Sequence, residues 1–179
     1  MIEGFGHRIA LDRIRDGERI ELVADEAERK DIADRLGLRS LGRLDAHATL
    51  ERDGERIRAR GRLRASLEQS CVATGDPVAE HVDEPFEIAF LQAPSDGRPD
   101  EEIELGEEDC DAVFYEGGAI DLGSAVADSL ALSIDPYPRS PGAEEALREA
   151  GVMSEAEAGP FGGLAKLLMG SDSEEGAPF

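Results

Sequence analysis

The chain has 179 residues, with 41 acids against 19 Lys and Arg, and a formal net charge of −22. That length holds one medium core or one domain with tails, and that charge argues against nonspecific nucleic-acid binding, favouring a basic protein partner or electrostatic solubility. Six Phe, two Tyr and no Trp offer little for stacking bases, two Cys make no disulfide scaffold, and the absence of a membrane-length apolar run or signal-peptide pattern predicts a cytoplasmic protein.

Residues 5–11 alternate as an edge strand, and residues 19–24 as a second short one with Ile20 and Leu22 inward. Asp25 then caps a helix over residues 26–36, with Glu28 at capping-box spacing and Gly37 at the position after its C-terminus. Ile32, Ala33 and Leu36 form its narrow apolar stripe.

Residues 42–71 carry the main signal. Arginine occupies every even position from Arg56 to Arg64, alternating with Ile57, Ala59, Gly61 and Leu63. Before it, Leu44, Ala46, Ala48 and Leu50 alternate with Arg43, Asp45, His47, Thr49 and Glu51. A period of two sorts one sheet face apolar and the other charged. Asp53-Gly54 between the runs predicts a type I′ hairpin with those two residues central. The register would set Leu50 against Ile57, Ala48 against Ala59, Leu44 against Leu63, Glu51 against Arg56 and Asp45 against Arg62. Arg58, Arg60 and Arg64 would then lack an acid directly opposite, making them candidates for contacting a partner. The plainer reading is a solvated face whose arginines pair with acids on neighbouring strands, including Glu87. A bend or bulge is expected near Gly61.

After a turn over residues 71–77, residues 78–91 read as a third long strand. Val78, Val82, Phe86, Ile88 and Phe90 share one face; His81, Asp83 and Glu87 share the arginine side. Pro85 points to an edge strand or a bulge. Residues 95–116 hold ten acids and one base, which reads as a mobile acidic loop. Its acids, among them Glu101, Glu102, Glu107, Glu108 and Asp109, are candidates for holding a basic protein. A cation-binding loop is the weaker reading, since the D-x-D-x-D-G spacing is missing.

Residues 119–122 restore order, and residues 123–132 read as a helix with Val126, Leu130 and Ile134 at helical spacing. A stiff extended stretch over residues 136–142 follows. Residues 143–158 are Ala- and Glu-rich, with transient helicity expected. The expected division is a single α+β domain over residues 1–142 and a mostly flexible tail over residues 143–179, the tail carrying a short apolar motif at residues 160–168. The fold expected is a curved, mainly antiparallel sheet of five or six strands with two or three helices, closure into a barrel left open.

No nucleophile elbow, P-loop, dinucleotide fingerprint or metal-spaced Cys/His set is present. His7, His47 and His81 lie far apart in sequence, so no catalytic residue, cofactor or metal site is assigned. A carboxylate-dependent hydrolase is the remote alternative.

Three stretches resemble the YceD family of large ribosomal RNA subunit accumulation proteins, in the pattern of its alphaproteobacterial members. They are residues 67–78 around Cys71; Ile120-Asp121-Leu122-Gly123 with Leu130 through Pro136-Tyr137-Pro138-Arg139; and residues 160–167. The resemblance spans roughly residues 5–168 and marks Cys71, Asp121, Leu122, Pro136, Tyr137, Pro138 and Arg139 as family-motif residues. Many members show C-x-x-C at this turn and a further cysteine after the acidic loop, suggestive of metal. Here Thr74 replaces the second cysteine and Cys110 stands alone among acids, so Cys71 is read as a small buried hydrophobe. The resemblance implies a non-enzymatic role in ribosome production. It also implies a partner that is a basic ribosomal protein or a pre-ribosomal particle, with direct RNA contact through the arginine stripe as the alternative.

Overall fold

The computed structural model describes residues 2–6, 8–93 and 112–152. In chain order these form β1 (Ile2–Glu3), β2 (Ile9–Ala10), a 3₁₀ turn (Leu11–Arg13), β3 (Glu18–Val23), α1 (Glu26–Leu36), β4 (Ser40–Asp53) and β5 (Arg56–Ser70). Then come β6 (Pro77–Gln92), β7 (Ala112–Tyr115), β8 (Ala119–Ile120), α2 (Leu122–Ser133) and α3 (Ala143–Glu149). Six strands make one sheet in the order β1-β3-β4-β5-β6-β7. Its four inner strands run antiparallel, while β1 joins β3 and β7 joins β6 in parallel. The two end strands do not pair with each other, so the sheet is open and not a barrel.

Alternation sorts the faces as the sequence predicts. Leu44, Ala46, Ala48 and Leu50 on β4, Ile57, Ala59, Leu63 and Ala65 on β5, and Val82, Phe86, Ile88 and Phe90 on β6 are all buried in one cluster. Both long helices cover that face. α1 contributes Ile32 and Ala33, and α2 contributes Leu122, Ala125, Val126, Ala127 and Leu130. The capping box on α1 is formed in full, and Gly37 ends the helix at φ +68°. Asp121 caps α2, accepting from the Ser124 N–H at 2.9 Å.

The hairpin register differs from the predicted one by two residues. Asp53 pairs with Arg56, Leu50 with Ala59, Glu51 with Arg58, His47 with Arg62 and Asp45 with Arg64. The cause is the turn. Gly54 takes φ +62°, while no non-glycine residue among those described has positive φ. Type I′ would need positive φ at Asp53 as well. A turn whose first central residue is glycine needs it only there, so Gly54 and Glu55 become the central pair. A shift of two keeps every side chain on its face. The polarity of the sheet therefore survives while the cross-strand partners change.

The irregularity in the hairpin falls at Gly42, between the Leu41–Leu67 and Arg43–Ser66 pairs, and not at Gly61. Gly61 stays in register opposite Ala48, and it is needed for closeness: a Cβ there would lie 1.9 Å from the His47 carbonyl oxygen. The strand expected over residues 5–11 shrinks to Ile9–Ala10, which pairs with β8 in a separate two-stranded sheet. Residues 112–115, assigned to the acidic loop, form β7. Its Tyr115 is buried and donates its hydroxyl to the Glu55 carbonyl at 2.5 Å, fastening the strand to the hairpin turn. Pro85 causes no break in the ladder; among the described residues it sits where β6 has a strand neighbour on one side only, since β7 reaches just residues 89–92. The Ala/Glu-rich stretch begins as helix α3, with Ala143 buried. The remainder of that stretch and the apolar motif at residues 160–168 lie outside the described residues.

Candidate functional site

The arginine-bearing face is built by parity: β5 supplies the even-numbered arginines, β4 and β6 the odd-numbered acids. In the observed register each guanidinium of the stripe from Arg58 to Arg64 finds a carboxylate. Glu87 lies 3.5 Å from Arg58 Nε and 2.9 Å from an Arg60 Nη, and Glu51 lies 3.6 Å from the other Arg60 Nη. Asp83 receives Arg62 Nε on one carboxylate oxygen and Arg64 Nε at 3.4 Å on the other. Arg62 also donates to the Asp83 carbonyl at 3.1 Å. Hydrogen bonding from Arg62, aided by the Arg62 and Arg64 charges and opposed by desolvation, holds the Asp83 carboxyl below its ordinary range. The bond from Arg60 does the same for Glu87.

Arg58, Arg60 and Arg64, expected to lack an acid directly opposite, each have one. Arg58 and Arg64 lie opposite Glu51 and Asp45 on β4, and Arg60 lies opposite Glu87 on β6. His47 and His81 do share this face, as their odd numbers imply, with His81 Nδ1 3.0 Å from Ser66 Oγ. The five candidate acids Glu101, Glu102, Glu107, Glu108 and Asp109 lie outside the described residues, as does Cys110.

A second cluster joins residues far apart in sequence. The turn after β5 brings Cys71 against the stretch after α2. Its sulfur is buried and accepts from three donors: Thr74 N–H at 3.4 Å, Ser140 N–H at 3.3 Å and Ser140 Oγ–H at 3.4 Å. The two Ser140 bonds and then those from Thr74 outweigh burial and push the thiol down from 9.0 to about 6. Cys71 is thus buried as expected, yet it works as an acceptor and not only as a small apolar filler. Val72 N–H donates to the Pro138 carbonyl at 2.9 Å, and Thr74 Oγ lies 3.1 Å from Ser140 Oγ. Among the described residues no group of three or more His, Cys, Asp or Glu is arranged to hold a metal ion.

The family-motif residues therefore divide. Cys71 and residues 136–139 meet in this knuckle. Asp121 and Leu122 serve the start of α2, one as its cap and the other in the core. Gly123 beside them lets α2 abut the chain at Phe5, whose carbonyl oxygen a Cβ would approach to 2.0 Å. Ser140 carries no local sequence signal; only its position two residues after Pro138 in an extended stretch hints at it.

Comparison with known proteins adds one match. A family model described as Large ribosomal RNA subunit accumulation protein YceD fits residues 59–168, more than half of the chain. No curated protein and no solved structure is found to match.

Proposed function

From the premise that the chain belongs to the YceD family of large ribosomal RNA subunit accumulation proteins, we propose that it is a non-enzymatic factor holding a basic protein component of the large subunit through its acidic surface. The supporting observation is the state of the arginine stripe. Three carboxylates, Glu51, Asp83 and Glu87, lie within ion-pair distance of the four guanidiniums of Arg58, Arg60, Arg62 and Arg64, so most of that cationic charge is answered in place. With 41 acids against 19 bases, what remains for a partner is anionic, which suits a basic protein better than phosphate. Direct RNA contact through Arg58, Arg60 and Arg64 would first have to break these pairs.

The test is capture from the protein's own cell extract after nuclease treatment, comparing the full chain, a chain lacking residues 96–111, and an Arg58→Gln, Arg60→Gln, Arg64→Gln variant. Small basic large-subunit proteins should be captured by the full chain and the arginine variant. They should be lost from the deletion, and at raised ionic strength. Equal capture by the deletion, or dependence of the association on the three arginines and on intact RNA, would overturn the reading.

A further inference from the structure

The knuckle joining residues 71–76 to residues 135–140 is held by a set of polar contacts. Besides the three bonds to the Cys71 sulfur, the Gln69 amide donates to the Asp135 carbonyl at 3.0 Å, and the Asp135 N–H donates to Glu80 Oε1 at 3.0 Å. Tyr137 N–H donates to Asp135 Oδ1 at 2.8 Å, and Arg39 donates to the Gly75 carbonyl at 3.0 Å. Along the extended stretch, Pro138 and Ser140 point in and are buried, whereas Tyr137 and Arg139 alternate outward. Tyr137 is 71% exposed and Val72 56% exposed. A large ring and a branched aliphatic side chain are thus presented to solvent on backbone that is already ordered.

We propose that this knuckle is a protein-docking surface in which Tyr137 and Val72 are the anchors, receiving a cationic segment of a basic partner. The proposal rests on the reading above that the partner is a basic protein, and adds where it binds. Ordering entropy is usually lost when an interface forms; here the fold has already fixed the backbone that carries the anchors. Tyrosine on such a base is a typical hot-spot residue, and its ring face attracts guanidinium or ammonium groups. The charge around it is complementary: Glu68, Asp76, Glu80 and Asp135 belong to the same end of the sheet. Arg39 there is engaged with the Gly75 carbonyl and Ser70. Arg139 is exposed beside Tyr137 and offers donors to carbonyls of the partner.

The experiment measures binding of the full-length protein to the protein fraction stripped from purified large ribosomal subunits, with a naked large-subunit RNA transcript as the second probe. Tyr137→Ala should weaken protein binding about 30-fold, the ratio expected for a hot spot. Tyr137→Phe, which keeps the ring, should bind nearly as the parent does. Because Tyr137 is exposed, the melting temperature should not move. Binding of Tyr137→Ala within twofold of the parent overturns the inference. If the deletion of residues 96–111 abolishes protein binding while Tyr137→Ala does not, the docking site is wrong and the acidic-factor reading stands. If neither change matters, both fall. Loss of transcript binding in Tyr137→Ala with protein binding intact overturns the partner class.

Discussion

Gly61→Ala offers the sharpest check on how tightly the sheet is drawn together. In an unconstrained strand, replacing glycine by alanine stabilises by about 0.4–1 kcal/mol through the unfolded chain. At Gly61 the added methyl carbon would sit 1.9 Å from the His47 carbonyl oxygen and 2.9 Å from Ala48 Cα. Both are backbone atoms of β4, so no side chain can turn aside. Heavy atoms need roughly 3.5 Å, so the strands must part locally by an ångström or more. Parting them strains the packing by about 1–3 kcal/mol, and weakens one or two ladder bonds contributing about 0.5–1.5 kcal/mol each. The clash outweighs the entropic gain, giving a net loss of about 0.5–5.5 kcal/mol, centred at about 3 kcal/mol. Urea denaturation followed by circular dichroism should show a lower midpoint at unchanged slope. Gly42 is the control. It lies in the same hairpin, has no positive φ, and a Cβ there would meet its nearest atom, the Ser66 carbonyl oxygen, at 3.6 Å. Gly42→Ala should remain within about 1 kcal/mol of the parent. If Gly61→Ala is equally neutral, or both variants fall together, the close approach of β4 and β5 is not what the glycine serves.

Two further predictions concern titrating groups. The Cys71 thiol is pushed down to about 6 in the folded chain, from 9.0. A lowered folded value means that its extra stabilisation is complete above the unfolded value and is lost as the pH falls through the folded one. The melting-temperature gap between parent and Cys71→Ala should therefore widen between about pH 6 and pH 9; a gap that stays flat or narrows would show that Ser140 and Thr74 do not stabilise a thiolate. Asp83 is held below its ordinary range mainly by the Arg62 hydrogen bond, so its contribution is present above about pH 4 and fades below it. Asp83→Asn should lower the melting temperature only slightly at neutral pH, by less at high salt. A large, salt-independent fall would mean the pair is not the solvent-screened contact its exposure implies.

The parts of the fold that were legible are those set by local chemistry. Asp25, Glu28 and Gly37 bracket α1 because capping is a matter of a few residues, and the long strands declare themselves because period two is visible along each one. The bulge at Gly42 has a signal in the sequence: Leu41 is odd-numbered while Leu44, Ala46, Ala48 and Leu50 are even, and both sets are buried. One extra residue is what lets both parities face the core. The register failed because Asp53-Gly54 and Gly54-Glu55 are both admissible turn pairs, and the choice rests on one dihedral angle. β7 was hidden because a four-residue parallel strand draws its stability from β6, some twenty residues earlier, and not from its own pattern. The Cys71–Ser140 contact joins positions 69 residues apart, and nothing local in either stretch marks the other as its neighbour.

Face and register have separate consequences for where a partner can bind. Parity decides which face a charge occupies, whereas register decides only which opposite charge it meets. An even shift keeps the acids of β4 on the arginine face but changes which arginines they meet: two residues away, Arg58 would face Thr49, Arg60 would face His47 and Arg64 would face Arg43. Compensation of the stripe therefore depends on the register the turn selects, which brings Glu51, Asp83 and Glu87 within reach of its arginines. The surplus of acid has to be sought elsewhere in the chain. Nine of the 41 acids, with a single base, fall in residues 94–111, between β6 and β7. A segment with nine acids and one base has a net charge of −8, and net charge of that density steers a basic partner. Removing residues 96–111 should consequently slow association more than it speeds dissociation, while Tyr137→Ala should do the reverse, and rates that shift together in both variants would refute the separation of steering from anchoring.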